Sequence, residues 1–196
     1  MSVLVTNDAP DFTAQAVMAD GSFEELSLSS YKGKYVLLFF YPLDFTFVCP
    51  SEILAFNNAL DEFKQRDCEV LGVSVDSHFT HLAWKNTSVQ SGGIGNIGFP
   101  LVADLDKSIS EDYGVFLPAA ISLRGLFLLD KEGVVRHQLV NDLPLGRSVE
   151  EAIRILDALQ FTEKYGEVCP ANWRPGEDAM KPTAEGVADY LTKHNS

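Results

Sequence analysis

The chain has 196 residues, 46% of them hydrophobic, enough to bury one full core with an appended tail. Its net charge of −13, from 28 acidic against 15 basic side chains, opposes binding to nucleic-acid phosphates and to anionic lipid. No apolar run reaches the roughly 20 residues of a membrane span, and no Lys or Arg precedes Lys32, so neither a membrane segment nor a basic leader is expected and a cytoplasmic location is.

In chain order, "MADGSFEE" around residues 18–25 reads as the turn of an N-terminal hairpin. "KYVLLFFYP" is a short apolar run closed by Pro42, the pattern of a buried strand in a largely parallel sheet. From Ser51, the apolar residues Ile53, Phe56, Leu60 and Phe63 recur at spacings of three and four, which predicts a helix ending near Arg66. "EVLGVSVD" reads as a second buried strand. Ser77 is placed to cap a helix running to about Asn86, and the glycine-rich "SGGIGNIG" after it reads as a loop. "SISEDYG" fits a short helix in which Ser108 and Glu111 have capping-box spacing and Gly114 is the stop. "ISLRGLFLLD" and "VVRHQLV" flank "KEG", an antiparallel hairpin. A last long helix begins at Ser148, with Val149, Ala152, Ile153, Leu156 and Leu159 on its inward face. Beyond Tyr165, "GEVCPANWRPGEDAMKP" has no clear period and reads as an arm outside the packed core. Two regions are therefore expected, 1–165 as the core and 166–196 as a C-terminal arm. The order of elements predicts a thioredoxin-like α/β fold with an N-terminal β-hairpin extension.

The cysteines are Cys49, Cys68 and Cys169, an odd number at wide spacing that does not fit a secreted disulfide framework. Cys49 falls where the first core strand hands over to its helix, between Pro42 and Pro50. The unpaired N–H groups and macrodipole of a helix N-terminus favour negative charge, which a nucleophilic sulfur must carry. A lone cysteine among aromatics is equally well read as an inert buried side chain. Thr46 tips the balance. Thr46-Phe-Val-Cys49 occupies the spacing of a Cys-x-x-Cys redox motif with a hydroxyl in place of the first sulfur, so no local disulfide forms there. What remains is a sulfur beside a group that both donates and accepts hydrogen bonds, suited to a small hydroxylic substrate. That replacement also disfavours a protein thiol-disulfide reductase.

The stretch "YPLDFTFVCPSE", with Pro42, Thr46 and Cys49 in Pro-x-x-x-Thr-x-x-Cys, closely resembles the active-site signature of peroxiredoxins, and "GEVCPANWRPG" around Cys169 resembles the resolving-cysteine segment of the typical 2-Cys subclass. The resemblance covers nearly the whole chain. It implies a thiol-dependent peroxidase acting on hydrogen peroxide and organic hydroperoxides through a Cys49 sulfenic acid. Cys169 of a partner subunit would then resolve that acid as an intersubunit disulfide, in a homodimer that assembles into rings such as decamers. Thr46 would hold the peroxide, Pro42 would shield the sulfur, and Arg124 would stabilise charge on sulfur and leaving oxygen. Glu52 and Arg147 match a supporting acid and base, with an exposed surface pair as the plainer alternative. The electron donor implied is thioredoxin or a flavoprotein disulfide reductase. No cofactor or metal is implied. Cys68 matches neither motif and reads as structural. A role of the assembled ring as a holdase chaperone or redox relay is the alternative function.

Other candidates are weaker. His78 and His81, three apart on a predicted helix, lack a third ligand and read as surface histidines. "SGGIGNIG" lacks the Lys of a phosphate loop. The resemblance gives that loop another meaning: members sensitive to overoxidation carry Gly-Gly-Leu-Gly and a C-terminal Tyr-Phe, where this chain has Gly92-Gly93-Ile94-Gly95 and Tyr190-Leu191. Intermediate sensitivity is expected.

Overall fold

The computed structural model describes residues 3–194. The chain forms two compact units, one running to Val149 and the other from Glu150. In the first, strands β1 (Thr13–Val17), β2 (Phe23–Ser27) and β3 (Tyr35–Phe40) lead to helices α1 (Cys49–Asn58) and α2 (Leu60–Gln65). Strand β4 (Cys68–Ser74), helix α3 (His78–Asn86), strand β5 (Leu101–Ala103) and helix α4 (Ser108–Asp112) follow. The strands β6 (Phe116–Leu117), β7 (Ile121–Ser122), β8 (Arg124–Leu129) and β9 (Val135–Asn141) complete it. The main sheet has the order β2-β1-β5-β4-β3-β8-β9, with the β3–β4 and β4–β5 pairs parallel and the hairpin β1–β2 on one edge.

Strand β3 lies inside the sheet between β4 and β8, and all six of its residues are buried, because both faces of the sheet are covered. Val36, Leu38 and Phe40 join a cluster with Leu71, Val73, Phe127 and Tyr113. The alternate residue Phe39 points to the other layer, where it stacks on Phe56 of α1 at 4.8 Å and meets Phe99 edge-on. Strand β8 runs antiparallel to β3, with Phe39 opposite Leu126. The start of β8 therefore lies at the end of β3, and Arg124 arrives where Cys49 begins α1.

Several local expectations need correction. The helix predicted over 51–66 is two helices, interrupted at Ala59, where ψ opens to 5°. It also starts two residues earlier than the apolar period shows, at Cys49. The strand predicted over 121–130 breaks at Leu123. Leu123 donates its N–H to the Val115 carbonyl and accepts from Gly125 N–H, while Ser122 turns its hydroxyl to the Tyr41 carbonyl at 2.8 Å. Ser108 does not cap α4. The buried Asp104 does so, accepting from the N–H groups of Ile109 (3.1 Å) and Ser110 (2.8 Å), so a carboxylate from the end of β5 meets the positive end of the helix. Ser77 caps α3 as expected, accepting from Thr80 N–H at 3.2 Å.

Helix α5 (Val149–Tyr165) starts at the last residue of the first unit, and the second unit holds the rest of it, an irregular segment and α6 (Ala184–His194). Ala152 and Leu156 are the fully buried residues of α5, and Glu151 grips Arg154 through both carboxylate oxygens. The irregular segment is tighter than its composition implies. Trp173 is 2% exposed and packs on Phe161 of α5 at 4.7 Å, Arg154 donates to the Trp173 carbonyl, and Val168 and Met180 form an antiparallel bridge. Among the described residues, no helix is long and apolar enough to cross a membrane.

Candidate active site

Pro42 lies two residues after the end of β3, and residues 41–48 carry the chain to α1, whose first residue is Cys49 and whose second is Pro50. Proline at that position costs no helix hydrogen bond, since the first N–H groups of a helix have no partner within it. Val48 supplies no side-chain cap, and its carbonyl accepts from the N–H groups of Ser51 (3.0 Å) and Glu52 (3.3 Å), which closes the first turn beneath the sulfur. Cys49 itself is fully buried.

Two side chains converge on its sulfur. Thr46 Oγ1 lies 2.9 Å from Cys49 Sγ and 2.8 Å from the Leu43 carbonyl. The hydroxyl has one proton, and the carbonyl can only accept. When Thr46 donates to Leu43, its oxygen turns a lone pair toward the space beside the sulfur. Arg124 Nη1 lies 3.4 Å from Sγ, while its Nε donates to the Leu143 carbonyl at 2.7 Å.

Glu52, one helical turn beyond Cys49, ties the arginines together. Its Oε2 accepts from Arg124 Nη1 at 2.6 Å, and its Oε1 accepts from both the backbone N–H (2.9 Å) and Nε (2.8 Å) of Arg147. Arg147 also donates to the Phe40 carbonyl at 2.8 Å, and its guanidinium lies over the Phe39 ring at 5.2 Å. Burial pulls the Arg147 guanidinium below its ordinary value, and Glu52 opposes that shift. Glu52 and Arg147 are therefore an enclosed pair and not the exposed surface pair that the sequence left as the alternative. Two guanidinium charges face one carboxylate, which leaves one positive charge for the sulfur.

An open cleft lined by Pro42, Thr46, Phe47, Val48, Arg124, Leu143 and Pro144 shares Thr46 and Arg124 with this cluster. Its apolar walls and paired polar groups suit a small, weakly polar molecule. Cys169 sits in the second unit, half-buried, with its sulfur 3.6 Å from the Ala158 carbonyl and 3.7 Å from Thr162 Oγ1. Cys68, the first residue of β4, is 1% exposed, and burial pushes its thiol up to about 12. All three thiols are free.

The histidine expectation fails for His81. It is fully buried, with Nδ1 2.7 Å from Asp44 Oδ2, and Tyr41 donates to the same carboxylate at 2.8 Å. The signal was present in the period: His81 and Trp84 lie three apart on α3 and share its inward face. Among the described residues no cluster of His, Cys, Asp or Glu could hold a metal ion.

The AhpC/TSA family profile matches residues 5–138, and the profile of the C-terminal domain of 1-Cys peroxiredoxin matches residues 158–193. The chain belongs to the AhpC/TSA family of peroxiredoxins. Peroxiredoxin-2 of Cricetulus griseus is 57% identical over 188 residues, 95% of this chain and 94% of its own. The reduced 2-Cys peroxiredoxin of Plasmodium vivax superposes with a TM-score of 0.96 at 57% identity, covering 97% of this chain and all of that one. Thioredoxin peroxidase I of Plasmodium yoelii gives 0.79 at 58% identity, over 88% and 99%. As a peroxiredoxin with a thioredoxin-type fold, the protein is a thiol-dependent peroxidase. The second profile takes its name from a one-cysteine subclass, yet the segment it matches here contains Cys169.

Proposed function

We propose that Cys49 is the sulfur that reduces the peroxide and that Cys169 of a partner subunit resolves the product. The observation that carries this reading is the convergence of Thr46 (2.9 Å) and Arg124 (3.4 Å) on a sulfur at a helix N-terminus. In the first step the Cys49 thiolate attacks one oxygen of a hydroperoxide, a sulfur–oxygen bond forms, and the O–O bond breaks. The leaving oxygen departs with the electron pair and takes a proton, giving water or an alcohol, while Cys49 becomes a sulfenic acid. Thr46, donating to Leu43, accepts the peroxide's O–H and aims the attacked oxygen at sulfur. Arg124, held by Glu52 and the Leu143 carbonyl, faces the negative charge as it passes from sulfur to leaving oxygen. Pro42 walls the cleft against water. Glu52 and Arg147 act by fixing Arg124 and the start of α1.

In the second step the Cys169 thiolate attacks the sulfenic sulfur, hydroxide leaves and is protonated to water, and a Cys49–Cys169 disulfide forms. A dithiol donor then opens that bond. The name of the Plasmodium yoelii relative supports thioredoxin as the donor. A homodimer is the smallest assembly that brings a partner's Cys169 to Cys49, and ring assembly of such dimers belongs to the same proposal. The three free thiols suit a reducing compartment, for which we propose the cytoplasm. The geometry at Cys49 favours the peroxidase over a holdase reading. The test follows peroxide loss by the reduced protein, by Cys49→Ser and by Cys169→Ser, with non-reducing gels. Retained turnover in Cys49→Ser overturns the reading.

A further inference from the structure

Behind the Pro42–Cys49 connection lies a second buried constellation that the steps above do not use. Tyr41, Asp44 and His81 are 0%, 7% and 0% exposed. Tyr41 donates to Asp44 Oδ1 at 2.8 Å, Asp44 Oδ2 lies 2.7 Å from His81 Nδ1, and His81 Nε2 lies 3.2 Å from the Val102 carbonyl. Proton counting constrains this chain. The Val102 carbonyl can only accept, so Nε2 carries a proton. If Asp44 is ionised, Nδ1 must carry one as well; if Nδ1 is bare, Asp44 must donate to it. Either way one proton lies between Oδ2 and Nδ1. Without it, one of the two acceptors, the Asp44 carboxylate or the Val102 carbonyl, would face an imidazole lone pair in the core.

The same aspartate also sets the backbone. Asp44 N–H donates to Asp76 Oδ2 at 2.8 Å, and that oxygen accepts from the Ser74 hydroxyl as well, so residue 44 is fixed at both main chain and side chain. The next residue, Phe45, has φ of 53°, in the left-handed region that bulky side chains rarely adopt. Thr46 follows directly and reaches Cys49. A strained residue thus sits between an anchored one and the hydroxyl that faces the sulfur.

We infer that Asp44 and His81 are positioning residues of the peroxidase, holding the strained turn that presents Thr46 to Cys49 by means of one shared proton. This rests on the reading that Cys49 reduces the peroxide. With the proton in place, Asp44 bridges Tyr41 and His81 and the turn is locked. With the proton gone, His81 has one N–H for two acceptors, the Asp44 carboxylate and the Val102 carbonyl, so one of the two contacts turns repulsive, the hold on the turn loosens, Phe45 relaxes to negative φ, and Thr46 leaves the sulfur. The other ionisable groups facing the pair are Asp76 at the end of β4, whose negative charge favours keeping the proton, and Tyr41. From α3, Lys85 points away, donating to the Met18, Ala19 and Ile97 carbonyls. The β5 side presents the Val102 carbonyl, and Asp104 is committed to α4. Burial pushes the Asp44 carboxyl above its ordinary value, with the His81 bond opposing.

Asp44→Asn separates positioning from mere packing. Its amide oxygen accepts from Tyr41 and its amide N–H donates to His81 Nδ1, so the network persists without a proton that titrates. The experiment measures kcat/KM for hydrogen peroxide against pH for the wild type, Asp44→Asn, Asp44→Ala and Cys49→Ser, with thermal unfolding of each. The wild type is expected to decline at alkaline pH, and Asp44→Asn to stay within about threefold of it at neutral pH and to lack that decline, whereas folded Asp44→Ala falls by about tenfold or more. If Asp44→Ala does not fold, the Asp44→Asn profile decides alone. An alkaline limb in Asp44→Asn identical to wild type, or a wild-type rate in folded Asp44→Ala, overturns the inference. Wild-type turnover in Cys49→Ser would instead overturn the assignment of Cys49.

Discussion

Arg124 meets Glu52 at 2.6 Å through the same nitrogen that lies 3.4 Å from the Cys49 sulfur. The carboxylate therefore aims the guanidinium, and the residual charge faces the Cys49 sulfur. Glu52→Ala leaves Arg124 and Arg147 facing one another with side chains only 4% and 1% exposed. Removing one partner of a buried ion cluster costs about 3–5 kcal/mol. For a chain of this size each kcal/mol lowers Tm by about 2–4 °C. Glu52→Ala is expected to show both that loss of Tm and a fall in kcat/KM for peroxide of at least about tenfold. Glu52→Gln keeps the shape but sets an amide N–H against a guanidinium, so its rate should lie between the two. A Glu52→Ala enzyme with wild-type kcat/KM would remove Glu52 from the site.

The cysteines should separate cleanly. Cys49→Ser is expected to abolish peroxide consumption, and Cys68→Ser to leave it nearly intact, because Cys68 is 1% exposed and makes no contact with Thr46 or Arg124 among its hydrogen bonds. Equal damage from both substitutions would contradict the assignment of Cys49.

Cys68 also predicts a pH dependence of stability. Its thiol is pushed up to about 12 by burial in the folded protein, against about 8.5 for a free cysteine. Between those values the folded state holds the proton and the unfolded chain does not, so unfolding releases it. The contribution is complete below about pH 8.5 and declines as pH rises toward the folded value. Cys68→Ala creates a cavity and lowers stability at neutral pH, yet its denaturation midpoint should fall less steeply from pH 8.5 to 10 than that of the wild type. Parallel slopes would show that Cys68 does not titrate on unfolding.

Cys169 yields a gel-based prediction. Peroxide-treated protein is expected to run as a disulfide-linked dimer without reductant, and Cys169→Ser to lose that band while consuming about one peroxide per Cys49, ending at the sulfenic acid or its overoxidised forms. A monomer-sized band carrying an internal Cys49–Cys169 bridge would rule out the intersubunit arrangement.

The fold was legible where one signal dominated. The unbroken apolar run Tyr35–Phe40 is a central strand because nothing in it tolerates water, and Ser77 starts α3 because its hydroxyl takes a helix N–H. Where two signals competed, the sequence misled. Ser108 has capping-box spacing, yet Asp104, distant by only a short turn, offers a full negative charge to the same donors and wins. The residues around Cys49 were legible through motif spacing, but their enclosure was not. Glu52, Arg124 and Arg147 come from α1, β8 and the segment after β9, and only the sheet register makes them meet. His81 was read as a surface residue because a polar side chain on a short amphipathic helix normally is one. Its partner Asp44 lies far away in sequence, and no local pattern announces the pair.

Overoxidation gives the last test. Cys49 is fully buried at the start of α1, so a disulfide with a second subunit requires the first helical turn to unwind, since the two Cα atoms must come within about 7 Å. Ser51 holds that turn by donating both its N–H and its hydroxyl to the Val48 carbonyl, and Glu52 anchors the next residue to the arginines. Slow unwinding leaves the sulfenic acid exposed to a second peroxide and hence to sulfinic acid. The loop that marks sensitivity by resemblance is built firmly here. Gly92 adopts φ of 82° and its carbonyl accepts from Trp84 Nε1 at 2.9 Å, while a Cβ on Gly93 would lie 2.0 Å from the Thr87 carbonyl oxygen. Ile94 is 1% exposed, so exchange of Ile for Leu in the motif is close to volume-neutral. In the tail, Tyr190 stacks on His194 at 4.3 Å, whereas Leu191, where sensitive members carry Phe, is half-exposed and lacks a ring. Sensitivity is therefore expected to be intermediate, with one of the two altered motifs kept in shape and the other reduced by a ring. Deleting the chain from Gly186 onward is expected to raise the peroxide concentration that inactivates the enzyme during turnover, and Tyr190→Ala to reproduce much of that rise. Turnover-dependent inactivation that is unchanged by the deletion would show that the tail does not restrain the Cys49 helix.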